Sequence, residues 1–261
     1  MISEKLDFPE SFDGLEKMIQ HLTGPDGCPW DKKQTPTTLI PMLVEECYEL
    51  VDAIENNNNE NIIEEIGDVI FHLGFQIRLG NLAGLFNSKD IFHNVLNKYI
   101  RRHPHVFENK TISGIEELKR NWEDIKKSEK DKDRNSALDG IPKSLPSLAH
   151  AETIQKRAAN TGFDWETSKE IEEKVIEELN ELKDAASEKE KEEEFGDLLF
   201  TLVNIARHQG IDAEKALRAS NRKFITRFKK MEEVSANQGQ EFEKLNINEK
   251  DALWNEIKLL D

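Results

Sequence analysis

Glu178 and Glu181 lie three residues apart, so any helix that holds them presents both carboxylates on one face. Glu194 and Asp197 repeat the spacing further along the chain. A short connection around Ser187 would make the two helices antiparallel neighbours, and the four acids would then converge. Like charges in a partly desolvated site repel strongly, so such a cluster calls for a cation. All four donors are hard oxygens. No Glu-x-x-His, the mark of di-iron carboxylate bundles, accompanies them, and no cysteine or histidine pair joins them. That donor set favours Mg²⁺, with Mn²⁺ also suited, and Mg²⁺ commonly completes its shell with substrate phosphates. One Glu-Glu-x-x-Glu alone would carry little weight, because most glutamate-rich helical faces are simply solvated.

Basic residues follow. Lys223 and Arg227 are spaced i,i+4 on a later segment that also carries Phe224 and Phe228. The ordinary reading is an exposed basic face; the functional one is a phosphate clamp, lysine as point charge and arginine as fork. Trp254 and Lys258 form another i,i+4 pair. Trp254 is either a core anchor or a side chain that closes over a nucleotide while Lys258 adds charge. Glycine-rich phosphate loops are absent, and no serine or cysteine has a convincing base partner. Acids with a metal, then bases, suit a polyphosphate substrate attacked by metal-activated water.

The elements that must position these groups are helices. Leu43, Cys47, Leu50 and Ile54 recur at helical spacing, as do Ile62, Ile66, Val69, Ile70 and Leu73, then Val175, Leu179 and Leu182, then Phe195, Leu198, Leu199, Leu202 and Val203. Thr167 with Glu170 and Ser113 with Glu116 have capping-box spacing. Gly210 after His208 reads as a helix stop, and Asp212 as the next start. Lys126 to Arg134 is charged and poor in apolar residues, and Gly140, Pro142 and Pro146 follow. Hence the expected division is a helical domain over 1–127, a linker over 128–147 and a second helical domain over 148–261.

The two halves answer each other in order. Glu45-Glu46-Cys47-Tyr48-Glu49 matches Glu177-Glu178-Leu179-Asn180-Glu181. Glu64-Glu65-Ile66-Gly67-Asp68 matches Glu193-Glu194-Phe195-Gly196-Asp197. Lys98 and Arg102 match Lys223 and Arg227, and Trp122 with Lys126 matches Trp254 with Lys258. A domain has been duplicated, and Glu46, Glu49, Glu65 and Asp68 form a second set of metal-ligand candidates. Gly67 and Gly196 sit inside strongly helical stretches, where glycine costs about 1 kcal/mol against alanine. A neighbouring helix or a ligand is therefore expected to come close at each.

The formal net charge is -16, from 52 acidic against 36 basic residues. Such a surface disfavours nucleic acid and anionic lipid as partners. Cys28 and Cys47 give neither a disulfide framework nor zinc spacing, which suits a reducing compartment. The start has no secretory pattern, and the apolar stretch from Val69 to Leu79 is interrupted by His72, Gln76 and Arg78. A cytoplasmic protein with no membrane partner is expected.

These residues closely resemble the MazG family of nucleoside triphosphate pyrophosphohydrolases, whose pattern is Glu-Glu-x-x-Glu followed on the next helix by Glu-x-x-Asp. Gly27-Cys28-Pro29-Trp30-Asp31, the run from Arg101 to Phe107, and Gly162-Phe163-Asp164-Trp165 also look like its two-domain bacterial members. The resemblance implies an all-α fold of tandem four-helix cores, assembled as a homodimer. It further implies hydrolysis of a nucleoside triphosphate to monophosphate and pyrophosphate, by water attack at the α-phosphorus. By similarity Glu178, Glu181, Glu194 and Asp197 hold the metal. Lys223, Arg227, Trp254 and Lys258 match positions that contact nucleotide or support catalysis. Lys174 and Glu193 lie at the edge of that site, and Glu193 or a neighbouring carboxylate orients the water. The second half is expected to carry most of the activity. The competing reading is a nucleotide-binding regulator or interaction protein with little turnover.

Overall fold

The structure, a computed structural model, describes residues 8–108, 112–115, 117–118, 121–122, 125, 129 and 135–259. Every regular element among the described residues is helical. The chain divides into two units, Met1–Glu129 and Lys130–Asp261.

The first unit contains α1 (Phe12–Leu22), α2 (Ile40–Glu55), α3 (Asn59–Leu82), α4 (Ser88–Arg102) and the short α5 (Pro104–Phe107). Side-chain caps fix where helices begin: Ser11 Oγ accepts from Gly14 N before α1, Asn58 accepts from Asn61 N before α3, and Asn87 with Asp90 forms a capping box before α4. α3 is the central element, packed against α2 and α1. Ile19, Leu39 and Phe75 are fully buried at their junction, with Leu15, Met42, Phe71 and Leu79 around them. Gly74 permits this approach, since a β-carbon there would stand 2.9 Å from Ile19 Cδ1. Phe12 and Phe92 meet edge-on at 5.5 Å, joining α1 to α4.

The second unit contains α6 (Ser147–Ala159), α7 (Ser168–Asp184), α8 (Glu188–His208), α9 (Ala213–Asn237) and α10 (Ile247–Lys258). The expected Thr167–Glu170 capping box opens α7, and a second box of Ser187 with Glu190 opens α8. Only residues 185–187 separate those two helices. So short a turn forces an antiparallel pair, and this pair is the most extensive contact of the unit. Gly210 stops α8 in the left-handed region at φ +69°, where a β-carbon would be strained, and Asp212 caps α9. α8 also touches α6 and α9, and α6 touches α9. Met231, Leu253 and Ile257 bury the α9–α10 contact.

Two details differ from the sequence expectation, and part of that expectation falls outside the described residues. The segment 136–146 is not free linker. Asp139 accepts from the backbone of Asn135 and Ser136, and Arg157 Nη1 donates to Asp139 O at 2.7 Å, which ties the segment to α6 of the second unit. The other part of the expected linker, 126–128 and 130–134, lies outside the described residues, as do Glu116 of the expected Ser113 capping box and Lys126 of the expected Trp122 pair. Finally, a β-carbon at Gly67 or Gly196 would meet nothing within 4 Å. Gly67 and Gly196 therefore face open space within the chain rather than a close neighbour.

Both acid-bearing helix pairs leave apolar stripes in solvent. On α3, Ile63, Ile66, Ile70 and Leu73 are exposed at i, i+3, i+7 and i+10; on α8, Phe195, Leu199 and Leu202 are exposed at i, i+4 and i+7. No helix among the described residues is long and apolar enough to cross a membrane.

Candidate metal centre and adjoining pocket

In the second unit, antiparallel packing of α7 on α8 brings Glu178, Glu181 and Glu194 together. One carboxylate oxygen of each lies within 4.8 Å of the others. Glu178 is 4% exposed. A carboxylate that deep needs a partner, and Lys174, one turn earlier on α7, stands with Nζ 2.8 Å from Glu178 Oε1 and 2.9 Å from Glu177 Oε1. These two hydrogen bonds hold the Lys174 ammonium well above the usual lysine range. Partial burial first, then the charges of Glu181, Glu178, Asp197 and Glu193, push the Glu194 carboxyl upward. The cluster thus carries more negative charge than one lysine offsets, and all of its donors are hard oxygens. The donor set fits a divalent cation.

The fourth expected ligand, Asp197, lines a cavity of about 650 Å³ together with Lys174 and Glu178. Glu193 sits outside it, exposed and 3.4 Å from Lys189. Lys223, Arg227, Trp254 and Lys258 do not line this cavity either. Lys223 and Arg227 lie on α9 and Trp254 and Lys258 on α10, where the Arg227 guanidinium lies 5.5 Å from the Trp254 ring centroid and Phe224 packs on the same indole at 5.2 Å. Trp254 also packs against the Met231 cluster.

Several residues of the cavity escaped the sequence reading. Asn204 and Arg207 lie on its α8 wall and Gln155 on its α6 wall. Asn204 Oδ1 accepts from Arg207 Nε at 3.0 Å and from Arg207 Nη2 at 2.6 Å. Arg207 in turn forks onto Asp164, with Nη1 3.0 Å from Oδ2, and His208 Nε2 lies 3.0 Å from Asp164 Oδ1. The Arg207 and His208 contacts hold the Asp164 carboxyl down to about 2. A signal was available: Asp197, Thr201, Asn204 and His208 fall at i, i+4, i+7 and i+11, one stripe of one helix.

The first unit repeats the acids but not their surroundings. Oxygens of Glu46, Glu49 and Glu65 also lie within 4.8 Å of one another. Burial and the charges of Asp68 and Glu49 push Glu46 up, and burial with Glu49 and Glu64 does so for Glu65. Here the nearby base is His72, buried, with Nε2 3.6 Å from Glu46 Oε1. Met42 occupies the position, four residues before the first glutamate of the cluster, that Lys174 holds in the second unit. Phe75 stands seven residues after Asp68, as Asn204 does after Asp197, and it is 1% exposed within the apolar core. The repeat of the basic and aromatic pair does hold: the Arg102 guanidinium lies 5.7 Å from the Trp122 ring centroid, although Arg102 is also bound to Glu129 at 2.6 Å.

A tandem all-helical protein with an acid cluster in each repeat is the class that the fold and site define. The model of the MazG nucleotide pyrophosphohydrolase domain matches residues 34–107 and again 166–232, bracketing both clusters. The chain is 42% identical over 247 residues to the nucleoside triphosphate pyrophosphohydrolase/pyrophosphatase MazG of Thermotoga maritima, covering 95% of each. It is 41% identical to the nucleoside triphosphate pyrophosphohydrolase of Escherichia coli K12, over 94% of this chain and 96% of that one. An uncharacterised protein of Bacillus subtilis, YabN, is 43% identical over 98% of this chain, which spans 53% of YabN. The chain belongs to the MazG nucleotide pyrophosphohydrolase family.

Proposed function

We propose that this protein hydrolyses nucleoside triphosphates to nucleoside monophosphate and pyrophosphate, with turnover in the second unit. The observation that carries the reading is the second acid cluster, with Glu178, Glu181 and Glu194 oxygens within 4.8 Å of one another, at a cavity that Glu178 and Asp197 line. Two relatives that match nearly the whole chain bear the name of that activity.

Glu178, Glu181, Glu194 and Asp197 would hold Mg²⁺, or Mn²⁺ in its place. Bound there, the ion supplies positive charge to the phosphate oxygens and makes water a better nucleophile. The chain's own groups do the rest. Lys174, fixed by Glu178, offers an ammonium to the inner phosphates. Glu193, exposed and 3.4 Å from Lys189, or a neighbouring carboxylate orients the attacking water. Water adds at the α-phosphorus, the bond from that phosphorus to the bridging oxygen breaks, and pyrophosphate leaves. Lys223, Arg227 and Lys258 meet the departing phosphates, and Trp254 holds Arg227 in place.

The first unit, with Glu46, Glu49, Glu65 and Asp68, is proposed to bind a divalent cation without turning over substrate. Phe75 and Met42 put apolar bulk where the second unit has Asn204 and Lys174. We also propose a homodimer, because burying the α3 and α8 stripes would remove a large apolar surface from water. Incubation of the full chain with Mg²⁺ and a nucleoside triphosphate tests the reading. Glu178→Gln should abolish monophosphate release and Glu46→Gln should leave most of it. The reverse pattern would assign turnover to the first unit.

A further inference from the structure

His72 is a buried side chain that the proposed hydrolysis does not use. It lies on α3, four residues after Asp68 and seven after Glu65, so the three share one helical face. Its side chain is 9% exposed. Nδ1 is buried with no hydrogen-bond partner, a state that few native polar atoms keep. Nε2 stands 3.6 Å from Glu46 Oε1, too far for an N–H···O bond. The imidazole thus reaches the acid cluster of the first unit, where Glu46, Glu49 and Glu65 each bring an oxygen within 4.8 Å of the others.

A direct hydrogen bond would draw Nε2 and Oε1 together; a shared ion would hold them apart. Two donors each about 2.1 Å from one ion, and about 90–120° apart around it, are separated by about 3.0–3.6 Å. The His72–Glu46 distance falls at the upper end of that range.

The second unit is built differently at both matching positions. Thr201 follows Asp197 by four residues, as His72 follows Asp68, and it offers a hydroxyl. Lys174 already stands on Glu178 there, whereas Met42 holds the corresponding place before Glu46. The first cluster therefore combines carboxylate oxygens with one imidazole nitrogen in place of a lysine. Nitrogen ligation favours first-row transition ions, and it adds little for Mg²⁺, which takes oxygen.

We infer that His72 is a metal ligand through Nε2, and that the first-unit cluster is a site for a first-row transition-metal dication, selective against Mg²⁺. Glu46, Glu49, Glu65 and Asp68 supply the oxygens. The inference rests on the cation site proposed for the first unit and names the class of ion that it takes. The two units then hold chemically different ions, and the difference lies in the residue four positions after the last acid.

The test uses the full chain with Glu178→Gln and Glu194→Gln, which disable the second cluster, and Mn²⁺ as the probe. Electron paramagnetic resonance counts free Mn²⁺, and spin-echo modulation detects nitrogen bound to the ion. Bound Mn²⁺ should show nitrogen modulation and should resist a large excess of Mg²⁺. Adding His72→Gln should remove the modulation and weaken Mn²⁺ binding by at least the roughly tenfold that loss of even an outer-shell partner costs. Mg²⁺ affinity, read by calorimetry, should stay nearly unchanged. Bound Mn²⁺ without nitrogen modulation leaves the first-unit cation site standing and overturns the inference. Equal losses of Mn²⁺ and Mg²⁺ affinity in the His72→Gln protein overturn it as well. No bound Mn²⁺ rejects the cation site and the inference with it. If a variant fails to fold, the His72 ring resonances of the unaltered protein decide. The Nε2 signal should shift with Zn²⁺ and not with Mg²⁺; an equal response to both, or to neither, overturns the inference.

Discussion

Lys174 and Glu178 show how far a single contact sets the character of the second site. A carboxylate exposed by only 4% has an ammonium 2.8 Å away. Replacing Lys174 by methionine, the residue at the matching position of the first unit, leaves that charge without its partner. The expected cost is about 1–3 kcal/mol in metal-free protein, smaller when Mg²⁺ is present to take over neutralisation. Denaturant unfolding with and without Mg²⁺ measures both values, and equal costs in the two conditions would remove the cation from the account. Glu194 gives a pH dependence with a definite sign. Its carboxyl is pushed above the ordinary 4.5 by burial and by the neighbouring acids. The stability it contributes is present below the ordinary value and is lost as pH rises through the raised one. A bound cation offsets that loss only when the carboxylate is ionised, so the rise in Tm produced by Mg²⁺ should grow with pH from the acidic side toward neutrality. A Tm increment that is flat across that window would contradict the assignment of Glu194 as a ligand.

Helices decide which residues meet, and here the sequence was more informative about some features than others. The acid clusters were legible because i,i+3 spacing and a short connection are local facts, and the 185–187 turn between α7 and α8 needs nothing else to bring Glu178 and Glu194 together. The Thr167 cap and the Gly210 stop were legible for the same reason. The Asp164–Arg207–Asn204 chain was not. It joins the connection before α7 to the end of α8 across 43 residues of sequence, and nothing local marks which arginine meets which acid. The segment 136–146 looked like linker because proline and glycine mark irregular backbone, but they do not say whether that backbone is packed. Arg157 packs it. The Asp164 clamp makes its own prediction. Its carboxyl is held down to about 2 against an ordinary 3.8, so its stabilising contribution is complete above about 3.8 and is lost as pH falls toward about 2. Asp164→Asn should destabilise the second unit at neutral pH by about 1–2 kcal/mol after allowance for solvent screening, and the difference from the unaltered protein should vanish under strongly acidic conditions. Urea unfolding at both pH values checks the magnitude and the direction together.

Across the whole molecule, one unit has been used twice with unequal surroundings for its acids. Both copies keep the acids. The second opens a cavity beside them, and the first fills the corresponding place with Phe75 and Met42. Both also keep apolar stripes that no segment of the described chain covers, on α3 and on α8. Assembly through those faces predicts that Leu199→Glu with Leu202→Glu yields a species of half the mass by light scattering, with helicity retained; a monomeric unaltered protein would contradict it. Gly67 and Gly196 lie on these helices too, and a β-carbon at either would touch nothing within the chain. The central claim is that water attacks the α-phosphorus of a nucleoside triphosphate in the second unit. Turnover of ATP with Mg²⁺ in heavy-oxygen water, followed by mass spectrometry of both products, tests it most directly. The account predicts label in the nucleoside monophosphate and none in the pyrophosphate. Label in the pyrophosphate, or release of diphosphate with orthophosphate, would contradict it.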